Sequence, residues 1–203
     1  YTMVFRTQGI STRSIGEKID DFETQTSPLQ NWTLGLSDWN PADGDVSGKT
    51  GITTNAVYGN YSGTISYAIG DAFEGITLSY DWGSNTDWSG DTKLVFYLKG
   101  FSGGTQSVNI FLYEQDGDVW YFPTGKNSGE TDWVKIKINF SDLLDVSWDV
   151  DADTPYLNKL ELNQITKFGI NFESSSGGIA FAGPVFIDNI YKTSDITAPA
   201  VLK

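Results

Sequence analysis

Carboxylates are the most numerous reactive side chains in this sequence. Of 203 residues, 26 are Asp or Glu, and there is neither histidine nor cysteine. Those two absences remove Ser-His-Asp and Cys-His nucleophile systems, thiolate metal sites and the commonest transition-metal ligand. Hard oxygen chemistry remains. Its clearest candidate is Asp188, in "VFIDNIYK" (185–192), a stretch dense enough in β-branched and aromatic residues to be a strand. Strict alternation places Phe186, Asp188 and Ile190 on one face and Val185, Ile187, Asn189 and Tyr191 on the other, so a carboxylate is held where water is scarce. At the opposite end of the sequence "IDDFE" places Ile19, Asp21 and Glu23 on one face. If the first and last strands adjoin, Glu23 or Asp21 approaches Asp188, and two carboxylates in a dry place repel unless one is protonated or a cation lies between them. Calcium accepts the irregular oxygen sets that loops supply, and the acidic stretch "NPADGDVSG" offers Asp43 and Asp45 as further ligands. The alternative is that Asp188 simply accepts backbone N–H bonds at a strand end.

The elements that must position these groups are all strands. "KIDDFE", "YSGTISYAI", "GITLSYDW", "TKLVFYLKG", "SVNIFLYEQ", "DVWYFP", "WVKIKINF", "ITKFGINFE" and "VFIDNIYK" follow one another at sandwich spacing, with a short turn at "SDLLDV" and a long loop-rich region over 24–60. Twenty-two glycines and 14% aromatic residues fit the same class. The expected fold is all-β, a two-sheet antiparallel β-sandwich of the jelly-roll kind. Residues 19–192 form the sandwich; 1–18 read as a leader or linker, and the Pro/Ala/Thr-rich 193–203 as a linker towards another domain.

Within the strands one face is uniformly apolar: Leu94, Phe96 and Leu98; Val108, Ile110 and Leu112; Val134, Ile136, Ile138 and Phe140; Phe168, Ile170 and Phe172. The other face mixes rings with amides and charges. A flat ring can cover the C–H face of a pyranose while amides, lysines and carboxylates bind its hydroxyls. Tyr97, Tyr113 and Trp120 are the leading stacking candidates, with Tyr97 and Tyr113 expected on neighbouring strands. Lys99, Gln115, Asn171 and Glu173 are the polar partners, and Trp39 reaches in from its loop; Trp82 and Trp88 read more readily as plugs of the sandwich. An ordinary outer face carrying a few β-formers is the competing reading.

The net charge of −13 opposes nucleic acid or an anionic membrane as partner. No apolar run approaches the roughly 20 residues that cross a bilayer. A glycosidase needs only two carboxylates, but the E-x-D-x-E motif of jelly-roll glucanases is absent, and "EQDGD" (114–118) has the wrong order and lies at a hairpin turn.

In their order along the chain, "IDDFE", "DWSGDTKLVFYLKG", "TDWVKIKINFSDL", "ITKFGINF" and "VFIDNIYK" resemble carbohydrate-binding modules of the galactose-binding-like jelly roll, most nearly family 11. The resemblance implies a structural calcium near the terminal strands, to which Glu23 and Asp188 would match, and a sugar-binding cleft on the concave sheet. It also implies a non-catalytic module attached to a glycoside hydrolase. The expectation is therefore a secreted module that binds internal stretches of a β-glucan, with mannan or xylan as other possible ligands. A protein-interaction jelly roll and a glycan-degrading domain are the alternatives.

Overall fold

The structure is a computed structural model, described here over residues 16–37, 44–146, 159–174 and 183–194. Trp39, Asp43 and most of both terminal segments lie outside the described residues. Among the described residues twelve strands follow in order: β1 (Glu17–Asp20), β2 (Trp32–Ser37), β3 (Ser47–Thr53), β4 (Ser62–Ala68), β5 (Gly75–Thr86), β6 (Lys93–Lys99), β7 (Ser107–Glu114), β8 (Val119–Asn127), β9 (Val134–Asn139), β10 (Leu144–Asp145), β11 (Ile165–Glu173) and β12 (Gly183–Thr193). The turn expected at "SDLLDV" is a 3-10 turn, Phe140–Asp142.

The strands form two antiparallel six-stranded sheets. The first runs β3-β4-β12-β6-β9, with β1 pairing the second half of β12 on the side where β4 pairs its first half. The second runs β10-β8-β7-β11-β5-β2. The termini of the sandwich do meet: Glu17 is opposite Lys192, and Lys18 opposite Tyr191.

Period-two alternation builds the core. Leu94, Phe96 and Leu98 of the first sheet face Val108, Ile110, Leu112, Phe168, Ile170 and Phe172 of the second, all essentially without solvent contact. Trp88 closes one end of this core, fully buried, with Trp82 edge-on at 5.6 Å between ring centroids.

Two features depart from the sequence reading. The region 24–60 contains the edge strands β2 and β3, whose Gly, Ser and Thr residues carry little apolar alternation because much of their surface faces water. In β12 strict alternation fails. Asn189 adopts φ 49° and the register slips between Asp188 and Tyr191, a β-bulge. Asp188 therefore shares the outer face with Phe186, whereas Ile190 joins Val185 and Ile187 in the core.

Candidate ligand-binding face

Because Val108, Ile110 and Leu112 of β7 point inward, Asn109, Phe111 and Tyr113 point out from the second sheet, and strand pairing fixes their neighbours. One row across the sheet reads Thr33, Ser79, Gly169, Phe111, Tyr121. The next reads Gly35, Thr77, Asn171, Asn109, Pro123, and a third Ser37, Gly75, Glu173, Ser107, Asn127. On the other side of Phe111 lie Lys167, Tyr113 and Val119. Small residues on β5 and β11 thus leave a hollow beside rings on β7 and β8. Its volume is about 640 Å³, with Phe73, Thr77, Phe111, Tyr113, Asn171 and Glu173 among its walls. A second hollow of about 390 Å³, with Asn109, Tyr121 and Lys126, shares Glu173 and extends it.

The rings form a strip. Phe111 is 6.3 Å from Tyr113 and 5.3 Å from Tyr121, centroid to centroid. Lys167 places its ammonium 4.0 Å from the Tyr113 ring centre, a cation–π contact that occupies one face of that ring. Beside the strip are hydrogen-bonding groups with capacity to spare. Asn171 donates to Thr77 Oγ1 at 3.0 Å, while its Oδ1 is buried without a partner. Asn109 Oδ1 accepts from the Tyr121 hydroxyl at 3.2 Å. Burial holds the Glu173 carboxyl above its ordinary pKa; the Tyr121 hydroxyl is raised by burial and then by the Glu173 charge.

The remaining sequence candidates are distributed differently. Tyr97 and Tyr113 are not on neighbouring strands: β6 belongs to the first sheet and β7 to the second, so Tyr97 and Lys99 point away from the opposite side of the sandwich. There Tyr97 packs against Tyr58, ring centres 5.1 Å apart, beneath Lys135. Trp120 lies opposite Leu112 in register, so it faces inward and is 7% exposed in the core. Gln115 follows β7 and bonds Asn85. The sequence reading overlooked Phe111, Tyr121, Asn109 and Lys167 as site residues. Alternation along β7 and β8 already places the two rings on the outer face.

At the chain ends, the outward Asp188 carboxylate is covered by the segment 55–61. Its Oδ2 accepts the Val57 and Tyr58 N–H groups at 2.8 and 2.9 Å, and its Oδ1 is buried without a partner. Glu23 accepts the Asn60 and Tyr61 N–H groups at 2.7 and 2.8 Å. Burial raises the Asp188 pKa against the lowering effect of its N–H donors, and the nearby Glu23 charge raises it further. Asp21 is turned to Lys18 at 2.6 Å, and Asp45 lies with Asp71 and Glu74, so neither belongs to an Asp188 cluster. The adjoining Asp20 is 6% exposed and fully engaged: it accepts from Phe22 N, Gln25 Nε2 and Trp32 Nε1 at 2.7, 2.8 and 2.9 Å.

No protein-family model and no curated protein sequence matches this chain. Solved structures do. The family 11 carbohydrate-binding module of the cellulosomal cellulase Lic26A-Cel5E of Clostridium thermocellum superposes with TM-score 0.65 at 18% identity, covering 88% of this chain and 94% of that one. Its fold is that of the family 11 modules. A Clostridium thermocellum family 11 module in complex with a β-1,3-1,4-mixed-linked tetrasaccharide gives TM-score 0.64 at 19% identity, with 89% and 97% covered. The family 30 module of the cellulase Cel9D-Cel44B from the same organism gives 0.56 at 16%, with 87% and 97% covered. With TM-scores of 0.56–0.65 over most of each chain, all three share the fold of this chain.

Proposed function

We propose that this domain is a non-catalytic carbohydrate-binding module that holds an internal stretch of a β-glucan chain across the outer face of its second sheet. The observation that carries this reading is the strip Tyr113–Phe111–Tyr121 beside Asn109, Asn171 and Glu173. Rings supply platforms for the C–H faces of successive glucose units, and the amides and carboxylate bind hydroxyls. A cleft running over several strands suits one soluble chain better than a flat crystalline surface. A module of like fold is seen in complex with a mixed-linked tetrasaccharide, so β-glucan is the ligand class proposed here. In the full-length protein the module would be secreted and would bring an attached glycoside hydrolase to its substrate.

The family resemblance also implies a structural calcium, which the unpartnered Asp188 Oδ1 and the neighbouring Glu23 carboxylate would hold. Bound there, the ion would neutralise the two carboxylates. Affinity electrophoresis in gels containing barley β-glucan, hydroxyethyl cellulose, xylan or mannan tests the reading. Retardation by the glucans without release of reducing sugar supports it; hydrolysis, or migration unaffected by any of the four, overturns it.

A further inference from the structure

A second carboxylate cluster lies away from Asp188, where the β4–β5 connection (69–74) meets the segment that enters β3. Asp45, Asp71 and Glu74 each bring a carboxylate oxygen within 4.8 Å of the others. The packing is close: a Cβ on Gly70 would stand 1.6 Å from Asp45 Oδ2, so only glycine admits the Asp45 carboxylate there. Glu74 is fully buried. Its Oε2 accepts the Asp71 N–H at 2.8 Å, and its Oε1 has no hydrogen-bond partner. A buried carboxylate with one oxygen lacking a donor, close to two more carboxylates, is costly to leave unpaired, and a cation would complete it.

We propose that Asp45, Asp71 and Glu74 form a calcium site that anchors the β4–β5 loop and, through it, the rim of the ligand-binding hollow. Three oxygens no more than 4.8 Å apart lie within about 2.8 Å of a common point, so one calcium ion with contacts of about 2.3–2.6 Å binds all three after shifts of a few tenths of an ångström. The loop it holds carries Phe73, 65% exposed, in the wall of the hollow. Two backbone bonds join the loop to Ser174, the residue after Glu173: Phe73 N to Ser174 O at 2.8 Å and Ser174 N to Glu74 O at 2.9 Å. Fixing Glu74 therefore fixes both Phe73 and the end of β11. The rim effect rests on the glycan reading; the ion does not.

The experiment is calorimetric titration of calcium into the chelator-treated full chain, comparing wild type with Asp71→Asn and Glu23→Gln. Asp71 is exposed, so its amide variant should fold even where a Glu74 variant does not. The expected result is a calcium-binding step in wild type and Glu23→Gln that Asp71→Asn loses or weakens at least tenfold, with an unchanged circular-dichroism spectrum. Calcium uptake by Asp71→Asn equal to wild type, or no step assigned to this site in wild type, overturns the proposal. Affinity for a β-1,3-1,4-linked glucose tetrasaccharide, measured with and without calcium, tests the rim: it should fall several-fold on chelation in wild type and Glu23→Gln, and be insensitive to calcium in Asp71→Asn. An intact calcium step with calcium-independent glycan affinity overturns the rim effect alone. An intact step with no glycan binding at all overturns the glycan reading and leaves the ion site standing.

Discussion

Replacing Tyr113 by Ala separates a binding face from an ordinary sheet surface, because the structure also supplies a matched control. An aromatic platform contributes about 1–3 kcal/mol per stacked ring when truncated to alanine. Lys167 already covers one face of Tyr113 at 4.0 Å, so a single face is left for a sugar, and the lower half of that range applies. A loss of about 1–2 kcal/mol corresponds to roughly 5- to 30-fold weaker binding at 1.4 kcal/mol per tenfold. Tyr97→Ala removes a ring of similar size from the opposite sheet, along with its contacts to Tyr58 and Lys135. It should lower stability by about 1 kcal/mol through those lost ring and cation contacts and leave affinity unchanged. Titration calorimetry with β-glucan oligosaccharides reads affinity, and thermal melting shows that both variants are folded. Wild-type affinity in Tyr113→Ala, or an equal loss in Tyr97→Ala, would refute the assignment of the face.

The other predictions concern stability. Asp20→Ala should destabilise by about 3 kcal/mol or more, since three donors lose a charged acceptor in the interior; an unchanged urea midpoint would contradict this. Glu114, 4% exposed, has its pKa pushed by burial from 4.5 to about 7. The folded state thus keeps a proton that the unfolded chain has lost, so stability should fall as pH rises from about 4.5 to 7, by at most about 1.4 kcal/mol per pH unit, and Glu114→Gln should flatten that slope. Identical pH profiles for the two proteins would remove Glu114 as the cause. At a hundredfold excess over Kd, calcium held by Asp188 and Glu23 should add about 2.7 kcal/mol of stability, an increment that Asp71→Asn keeps and Asp188→Ala loses; a calcium-induced rise in melting temperature as large in Asp188→Ala as in wild type would contradict it.

Core and strand identity were largely legible because each inward set repeats at period two: Phe168, Ile170 and Phe172 read as core in the sequence and are fully buried in the sandwich. Sheet membership was not. Tyr97 and Tyr113 lie on strands consecutive in sequence, but the chain crosses between sheets from β6 to β7, and alternation carries no record of that crossing. Trp120 illustrates the same gap on a smaller scale, since an indole in a half-apolar strand suits either face until its pairing with Leu112 is known. The β12 bulge rests on the left-handed backbone at Asn189, a conformation asparagine tolerates better than most residues but does not announce. Asp45 could be recognised as a potential ligand from its acidic loop, yet only the tertiary approach of Gly70 and Glu74 identifies its companions.

The central claim is that the outer face of the second sheet is where glycan binds, and amide-shift mapping of the isotope-labelled chain titrated with a β-1,3-1,4-linked glucose tetrasaccharide tests it most directly. The account predicts that the largest shifts cluster at Asn109–Tyr113, Tyr121 and Asn171–Glu173, with the Asn171 side-chain amide among them. Shifts centred instead on Tyr58, Tyr97 and Lys135 of the opposite sheet, or none at saturating sugar, would contradict it.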